Sequence, residues 1–304
     1  MFTLDFPVAH TLPEWTALEL TGADAGSFLH GQFTNDVAAL QIGSTQYNGY
    51  CSAKGRMLAT FALLRSAEQT YLLAVPTELA EGLERRLRMF MLRARVTIRS
   101  LAATHACIGI AGVSGSALTL DEDVHLLLLA DGRQLVVCPR AGADSMIRTI
   151  VATANRASTA AWDRLAIDAG IAVITTATQD KFVPQMLNWE LVGGVSFQKG
   201  CYPGQEIVAR MQYLGKLKER LFRARVRLDS PPAPGTPLFG TEFGEQSCGT
   251  VVNAARVAED SVELLAVLQV SSAASDRIRV GAAADSPVLE LLALPYPVPP
   301  SSKK

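Results

Sequence analysis

LFRARVRLDSPPAPGTP, residues 221–237, sets the organisation of the chain. In its first half Phe222, Ala224, Val226 and Leu228 alternate with Arg223, Arg225 and Arg227. A period of two puts the apolar and the basic set on opposite faces of a β-strand. In its second half Pro231, Pro232, Pro234, Gly235 and Pro237 rule out a helix or a central strand. The segment reads as a strand running into a loop at or just inside a domain border.

Beyond that border, runs at 248–252, 262–270, 277–280 and 288–292 are strand-like and separated by Asn, Asp, Gly and Ser. Such spacing points to a small β-barrel or sandwich. The closing PYPVPPSSKK is a proline-rich tail expected to fray. Before the border the elements are mixed. Residues 57–65 and 70–75 read as a hairpin. Thr77 then reads as the cap of a helix with Leu79, Leu83, Leu87 and Phe90/Met91 on one face and Arg85, Arg86 and Arg88 largely elsewhere. Residues 95–101, 106–110, 125–130 and 134–138 read as strands, and 144–154 as a helix. With no fixed repeat and no strict strand–helix alternation, the class is α+β rather than a doubly wound sheet.

A length of 304 residues suggests about two domains. Hydrophobic residues make up 49% and charged residues 19%, which excludes a disordered chain. The net charge of −1 excludes a uniformly polybasic nucleic-acid coat. The densest apolar stretch, 126–130, falls far short of the roughly 20 residues a membrane helix needs. MFTLDFPVAH lacks the basic start of a signal peptide. Cys51, Cys107, Cys138, Cys201 and Cys248 are scattered without a CxxC pair, which argues against disulfides or structural zinc and for a reducing cytoplasm. No metal site is expected.

The segment GGVSFQKGCYPGQEIVARM, residues 193–211, carries the chemistry. Pro203 suits a first helical position, Ile207, Met211 and Leu214 recur at helical spacing, and Gly215 is a natural stop. Cys201 would lie just before a helix N-terminus, two residues after Lys199, where both positive charges favour thiolate. The alternative is a small packed cysteine between turn glycines. A Cys/His hydrolase would need His10, His30, His105 or His125 as its base, and none sits in a catalytic signature. Residues 109–115 place glycines three apart, which matches neither a dinucleotide fingerprint nor a P-loop and reads as a turn. Thirteen of the 28 basic residues crowd two windows: Arg85, Arg86, Arg88, Arg93, Arg95 and Arg99, then Arg210, Lys216, Lys218, Arg220, Arg223, Arg225 and Arg227. They are either solvated faces or a contact surface for an anion: a polyglutamate tail, a nucleic acid or an acidic protein.

KGCYPGQE (199–206), with GGVSFQ before it and IVARMQYLGKLKERL after it, resembles the signature of the YgfZ family, a branch of the folate-binding superfamily that includes the glycine cleavage T-protein. LTGADA (20–25), FLHGQFTNDV (28–37), SAKGR (52–56) and FVPQMLN (182–188) fit the same frame, so the resemblance spans nearly the whole chain. It implies a T-protein-like α+β region of one or two subdomains around a central folate pocket in residues 1–220. A C-terminal β-barrel in 221–296 and a flexible tail in 297–304 would follow. The implied cofactor is tetrahydrofolate or a derivative, which wants a carboxylate at the pterin edge, an apolar slot and cations at the mouth.

LAIDAG (165–170) is similar to the T-protein stretch whose carboxylate contacts the pterin, which makes Asp168 the leading pterin ligand and a surface acid the alternative. Gln185, Tyr202, Gln205, Glu206 and Arg210 complete the implied folate-binding set, and Cys201 with Lys199 the functional thiol site. Where aminomethyltransferases resemble one another in paired aspartates, this chain has Ala59 and Thr60, so glycine cleavage is not expected. The resemblance implies instead an accessory role in assembling or repairing iron–sulfur enzymes, including those that thiolate tRNA. The implied partners are a reduced folate and iron–sulfur proteins or their assembly machinery. Direct tRNA contact ranks last, and no membrane is involved. Cys201 would act as nucleophile, transient cluster ligand or redox contact, since a stable cluster takes about four thiolates. The competing class is a folate-dependent one-carbon transferase that passes an aminomethyl or formyl group to an unassigned acceptor and consumes folate.

Overall fold

The computed structural model describes residues 8–112, 121, 123–151, 155–156, 159–244, 246–275 and 277–299. In chain order, β1 (Val8–Thr11) and β2 (Trp15–Thr21) precede a short helix α1 (Ala25–His30) and β3 (Thr45–Cys51). The hairpin β4 (Met57–Ala67) and β5 (Thr70–Pro76) runs into α2 (Thr77–Met91) and β6 (Thr97–Ser100). Next come β7 (His105–Ala111), β8 (His125–Leu128), β9 (Gln134–Pro139), α3 (Ala143–Val151), β10 (Asn155–Arg156) and α4 (Thr159–Asp168). A long connection leads to α5 (Gln205–Tyr213). The chain finishes with β11 (Glu219–Arg227), β12 (Pro237–Phe239), β13 (Ser247–Ala258), β14 (Ser261–Gln269), α6 (Val270–Ser275), β15 (Arg279–Val280) and β16 (Glu290–Leu292).

These strands build three sheets, ordered β3-β4-β5-β2-β6, β10-β1-β7-β9-β8 and β15-β12-β13-β14-β11-β16. The mixture of helices with largely antiparallel sheets is the α+β class expected. The main core gathers Leu18, Phe61 and Leu73 from the first sheet, Phe33 from the segment after α1, Leu135 and Val137 from the second sheet, and Val252 and Leu265 from the third. On β14, Leu265 and Val267 face that core, while Leu264, Ala266 and Leu268 face a separate cluster. The strand's period of two thus lets one sheet close two cores.

Several details depart from the sequence expectation. Thr77 is the first residue of α2 and not its cap; Pro76 holds the cap position, and the Thr77 hydroxyl donates to the Pro13 carbonyl at 3.3 Å. The buried stripe of α2 is Leu79, Ala80, Leu83 and Leu87, which leaves Phe90 47% exposed at the helix end. The expected barrel is a six-stranded sheet whose two edges meet at one isolated bridge, Arg279 to Val288, rather than along a strand ladder. Residues 113–115 of the glycine-spaced turn, 152–154 of the expected helix and the last five residues of the tail lie outside the described residues. Among the described residues no helix is long and apolar enough to cross a membrane.

Leu73 is fully buried in β5, which pairs with both β4 and β2. Leu73→Ala is expected to cost about 3 kcal/mol of unfolding free energy in a urea titration, whereas a parent-like midpoint would show that this sheet does not carry the core.

Candidate functional site

The three sheets meet around a pocket of about 920 Å³. Tyr47 comes from β3, Asp131 and Arg133 from the β8–β9 turn, Leu165 and Asp168 from α4, and Arg223 from β11; residues 293–296 of the tail form one wall. A water-sized cavity of about 20 Å³ shares Tyr47, Arg133 and Ile171 with it and is lined further by Thr60, Trp162 and Trp189.

Two buried ion-pair systems fix the walls. Arg133 donates to Asp131 through Nε (2.9 Å) and Nη2 (2.7 Å), its guanidinium lies 4.4 Å over the Trp162 ring, and the Tyr47 hydroxyl donates to the same carboxylate at 3.0 Å. Burial alone would raise the Asp131 pKa, but the charge and hydrogen bonds of Arg133 outweigh it and hold it below the usual range. On the opposite wall Arg223 donates to Asp168 Oδ1 and to Glu263 Oε2, and Arg225 reaches Glu263 Oε1 at 2.7 Å. Burial leaves the Asp168 pKa raised despite Arg223.

The arginine face of β11 is therefore turned inward onto carboxylates, not outward as a free anion surface. Arg220 is likewise spent on Asn188 and Glu190. In the first basic window Arg85, Arg88, Arg95 and Arg99 pair with Glu81, Glu84, Asp24 and Glu19. Local carboxylates pair four of the six arginines of the first window, whereas in the second they pair Arg220, Arg223 and Arg225 and leave Arg210, Lys216 and Lys218 exposed without an ion pair among the described residues.

The start of the proline-rich stretch, where fraying was expected, is held at Tyr296. The Tyr296 hydroxyl donates to the Gly170 carbonyl at 2.8 Å, and a Cβ on Gly170 would stand 2.8 Å from Leu294 and Tyr296 atoms. With φ at +67°, Gly170 both ends α4 and lets the tail lie against it.

The signature segment builds a second locus. Gly204, at φ +80°, is the N-cap of α5, and a Cβ there would collide with the Ser52 carbonyl and with Gly55. That left-handed turn places the first helical residue at Gln205, two beyond Pro203. Lys199 is buried; its Nζ donates to the carbonyl of Phe33 at 2.6 Å and to that of His30, the last residue of α1. The ammonium thus satisfies carbonyls left open at a helix C-terminus. Burial pushes its pKa down to about 8, against the opposing charges of Asp36 and Cys201. His30 Nε2 lies 3.5 Å from where a Gly200 Cβ would stand, and burial followed by the Lys199 charge lowers its pKa. Cys201 is exposed, whereas Cys51, Cys107, Cys138 and Cys248 are buried.

Of the expected folate ligands, only Asp168 lines the central pocket. Gln185 is buried behind α5, donating to the Val208 carbonyl at 2.8 Å; Tyr202 is buried beneath Lys199, 5.1 Å from its ammonium. Gln205 is half-buried, and Glu206 and Arg210 are exposed along α5. Sequence reasoning missed Tyr47, Arg133 and Tyr296 in the pocket, Trp162 in the small cavity, and the nearness of His30 to the Gly200 turn. His30 stood inside the quoted FLHGQFTNDV block, whereas Tyr296 had no signal beyond its proline-rich surroundings. Among the described residues no group of three or more His, Cys, Asp or Glu could hold a metal ion.

The family model described as the GCVT N-terminal domain matches residues 13–125. A curated relative, the tRNA-modifying protein YgfZ of Edwardsiella ictaluri, is 34% identical over 94% of this chain and 91% of its own length. Its namesake from Colwellia psychrerythraea is 32% identical over 72% of each chain. Among solved structures, the glycine cleavage system aminomethyltransferase T of Bartonella henselae superposes with a TM-score of 0.76, covering 95% of this chain and 86% of that one at 16% identity, a likeness of fold.

Lys199 gives a test in pH. Below about pH 8 the folded protein carries a desolvated ammonium; between there and the 10.5 of ordinary lysine it sheds a proton that the unfolded chain keeps, so stability rises with pH in that window. The parent's unfolding free energy minus that of Lys199→Met is expected to grow by on the order of 2 kcal/mol from about pH 7 to about pH 10. A flat difference would place Lys199 in water, and a falling one would show that its two carbonyls favour the ammonium more than burial disfavours it.

Proposed function

The chain belongs to the YgfZ family, and on that premise we propose that it is a folate-binding accessory protein of tRNA modification that supports iron–sulfur enzymes through the thiol of Cys201. The observation that carries the reading is the central pocket: about 920 Å³ lies within the range of small-molecule sites, and its lining combines a carboxylate, apolar side chains and arginines. Tetrahydrofolate or a derivative fits that lining. Asp168 is the acceptor for pterin N–H donors, Leu165, Ile171 and Leu294 give the apolar slot, and Arg223 supplies positive charge. A reduced folate, when bound, would supply a one-carbon carrier; this chain's residues bind and orient it.

Ala59 is buried and apolar, and the Thr60 hydroxyl already accepts the Ile174 amide N–H at 3.0 Å. Neither side chain offers a carboxylate to take a proton, which supports an accessory role over glycine cleavage. Cys201 is the one exposed cysteine of the five, and a stable cluster takes about four thiolates, so any iron–sulfur ligation in this reading draws on partner thiols. A cytoplasmic setting and the division into residues 1–220, 221–296 and 297–304 belong to the same reading, with the third sheet lying at 219–292 and Tyr296, the last residue of the second part, bonded to Gly170.

Calorimetric titration with tetrahydrofolate tests this reading. Saturable binding is expected for the parent, weakened at least tenfold in Asp168→Ala, a loss of about 1.4 kcal/mol, and unchanged in Cys201→Ala. No binding by the parent would remove the ligand; equal binding by Asp168→Ala would remove its anchor.

A further inference from the structure

The outer face of α5 is only partly covered within the described chain: Ile207 packs on one side against Gly55 of the 52–56 turn, and Tyr213 and Leu214 beyond it are open. Ile207, Tyr213 and Leu214 are 40%, 66% and 83% exposed, while Val208 on the other side is fully buried. Residues 207, 210 and 214 follow one another at helical spacing, so Ile207, Arg210 and Leu214 form one stripe, with Tyr213 beside it. Tyr213 is braced from below by Phe197, whose ring meets it edge-on at 6.0 Å. Single exposed apolar residues are ordinary, but three large ones within two turns mark an interaction surface. Arg210, Lys216 and Lys218 surround them, all exposed and without an ion pair among the described residues, against Glu206 alone on the helix.

We propose that this face is a docking surface for an acidic protein whose contact patch has an apolar centre. An apolar and aromatic centre with an arginine and a charged rim is the composition of protein–protein contacts. Ile207 and Leu214 have no stacking plane or hydrogen bond to offer a nucleic acid, and Tyr213 is a single ring where strand binding uses successive aromatic platforms. A second copy of this chain would oppose lysine to lysine across a two-fold axis. The rim calls for carboxylates.

The surface also explains the placement of the signature loop. That loop starts at Phe197, against the C-terminal end of α5, and returns along the helix to Gly204 at its N-terminus. It carries the exposed Cys201 between these two anchors. A protein seated on Ile207 and Leu214 is thus brought to the thiol. This deepens the proposed function, on which it rests for the role of Cys201, by giving the chemistry of the partner.

The test uses the full chain with a photoreactive benzoylphenylalanine in place of Leu214, irradiated in the producing cell, in the parent background and with Lys216→Glu/Lys218→Glu. The expected result is a nuclease-resistant, protease-sensitive adduct whose cross-linked peptide maps to an acidic segment of another protein. The adduct should fall about tenfold on charge reversal, and comparably on raising salt after lysis in the parent background before irradiation, which guards against a misfolded variant. A nuclease-sensitive adduct, an adduct between two copies of this chain, an adduct indifferent to charge reversal and salt, or no adduct would overturn it. Tetrahydrofolate titration of the same proteins separates the two readings: binding lost in the parent sinks the folate reading and leaves the surface standing.

Discussion

The guanidinium of Arg223, held between Asp168 of α4 and the fully buried Glu263 of β14, is the contact on which the pocket depends. It ties a helix from the first part of the chain to the middle of the last sheet, and Arg225 completes the charge balance on Glu263. Removing one member of such a buried set leaves an uncompensated charge, at a typical cost of about 3–5 kcal/mol, so the set behaves as a unit. The same carboxylate that a pterin would seek is already anchored, which keeps it oriented toward the pocket without leaving it free to collapse onto water.

Two loci stand apart in the molecule. Asp168, Arg223 and the tail surround the central pocket, whereas Lys199, Cys201 and α5 occupy a locus set against the 52–56 turn and the end of α1. Lys199 is spent on two carbonyls and therefore acts as a tether for the loop that presents Cys201. An ammonium fixed in this way positions the thiol by geometry. Tyr202, Gln205 and Glu206 of the KGCYPGQE signature lie outside the lining of the central pocket, in the loop before α5 and on its first turn.

Much of this was legible in the sequence, and for definable reasons. The alternation of residues 221–228 and the strand-like runs after the proline-rich loop correspond to β11 and to β13–β16, because period-two patterning reports burial directly. The hairpin of β4 and β5 was visible for the same reason. What alternation does not report is who sits opposite. Arg223 and Arg225 looked like a free basic face because Glu263 is 38 and more residues away in sequence, and their pairing is set by the β11–β14 register. Asp168 was identified through a family resemblance rather than by local pattern. Tyr296 was hidden in a proline-rich tail whose fixation rests on one hydrogen bond to Gly170 and the space that glycine leaves.

Hydrogen–deuterium exchange of the full chain with and without tetrahydrofolate tests the separation of the two loci most directly. Protection is expected only at the pocket walls, at residues 165–171, 191–193 and 293–296, with residues 199–214 unchanged. Protection centred on 199–214, with the pocket walls unaffected, would contradict that separation and move the folate to the signature loop.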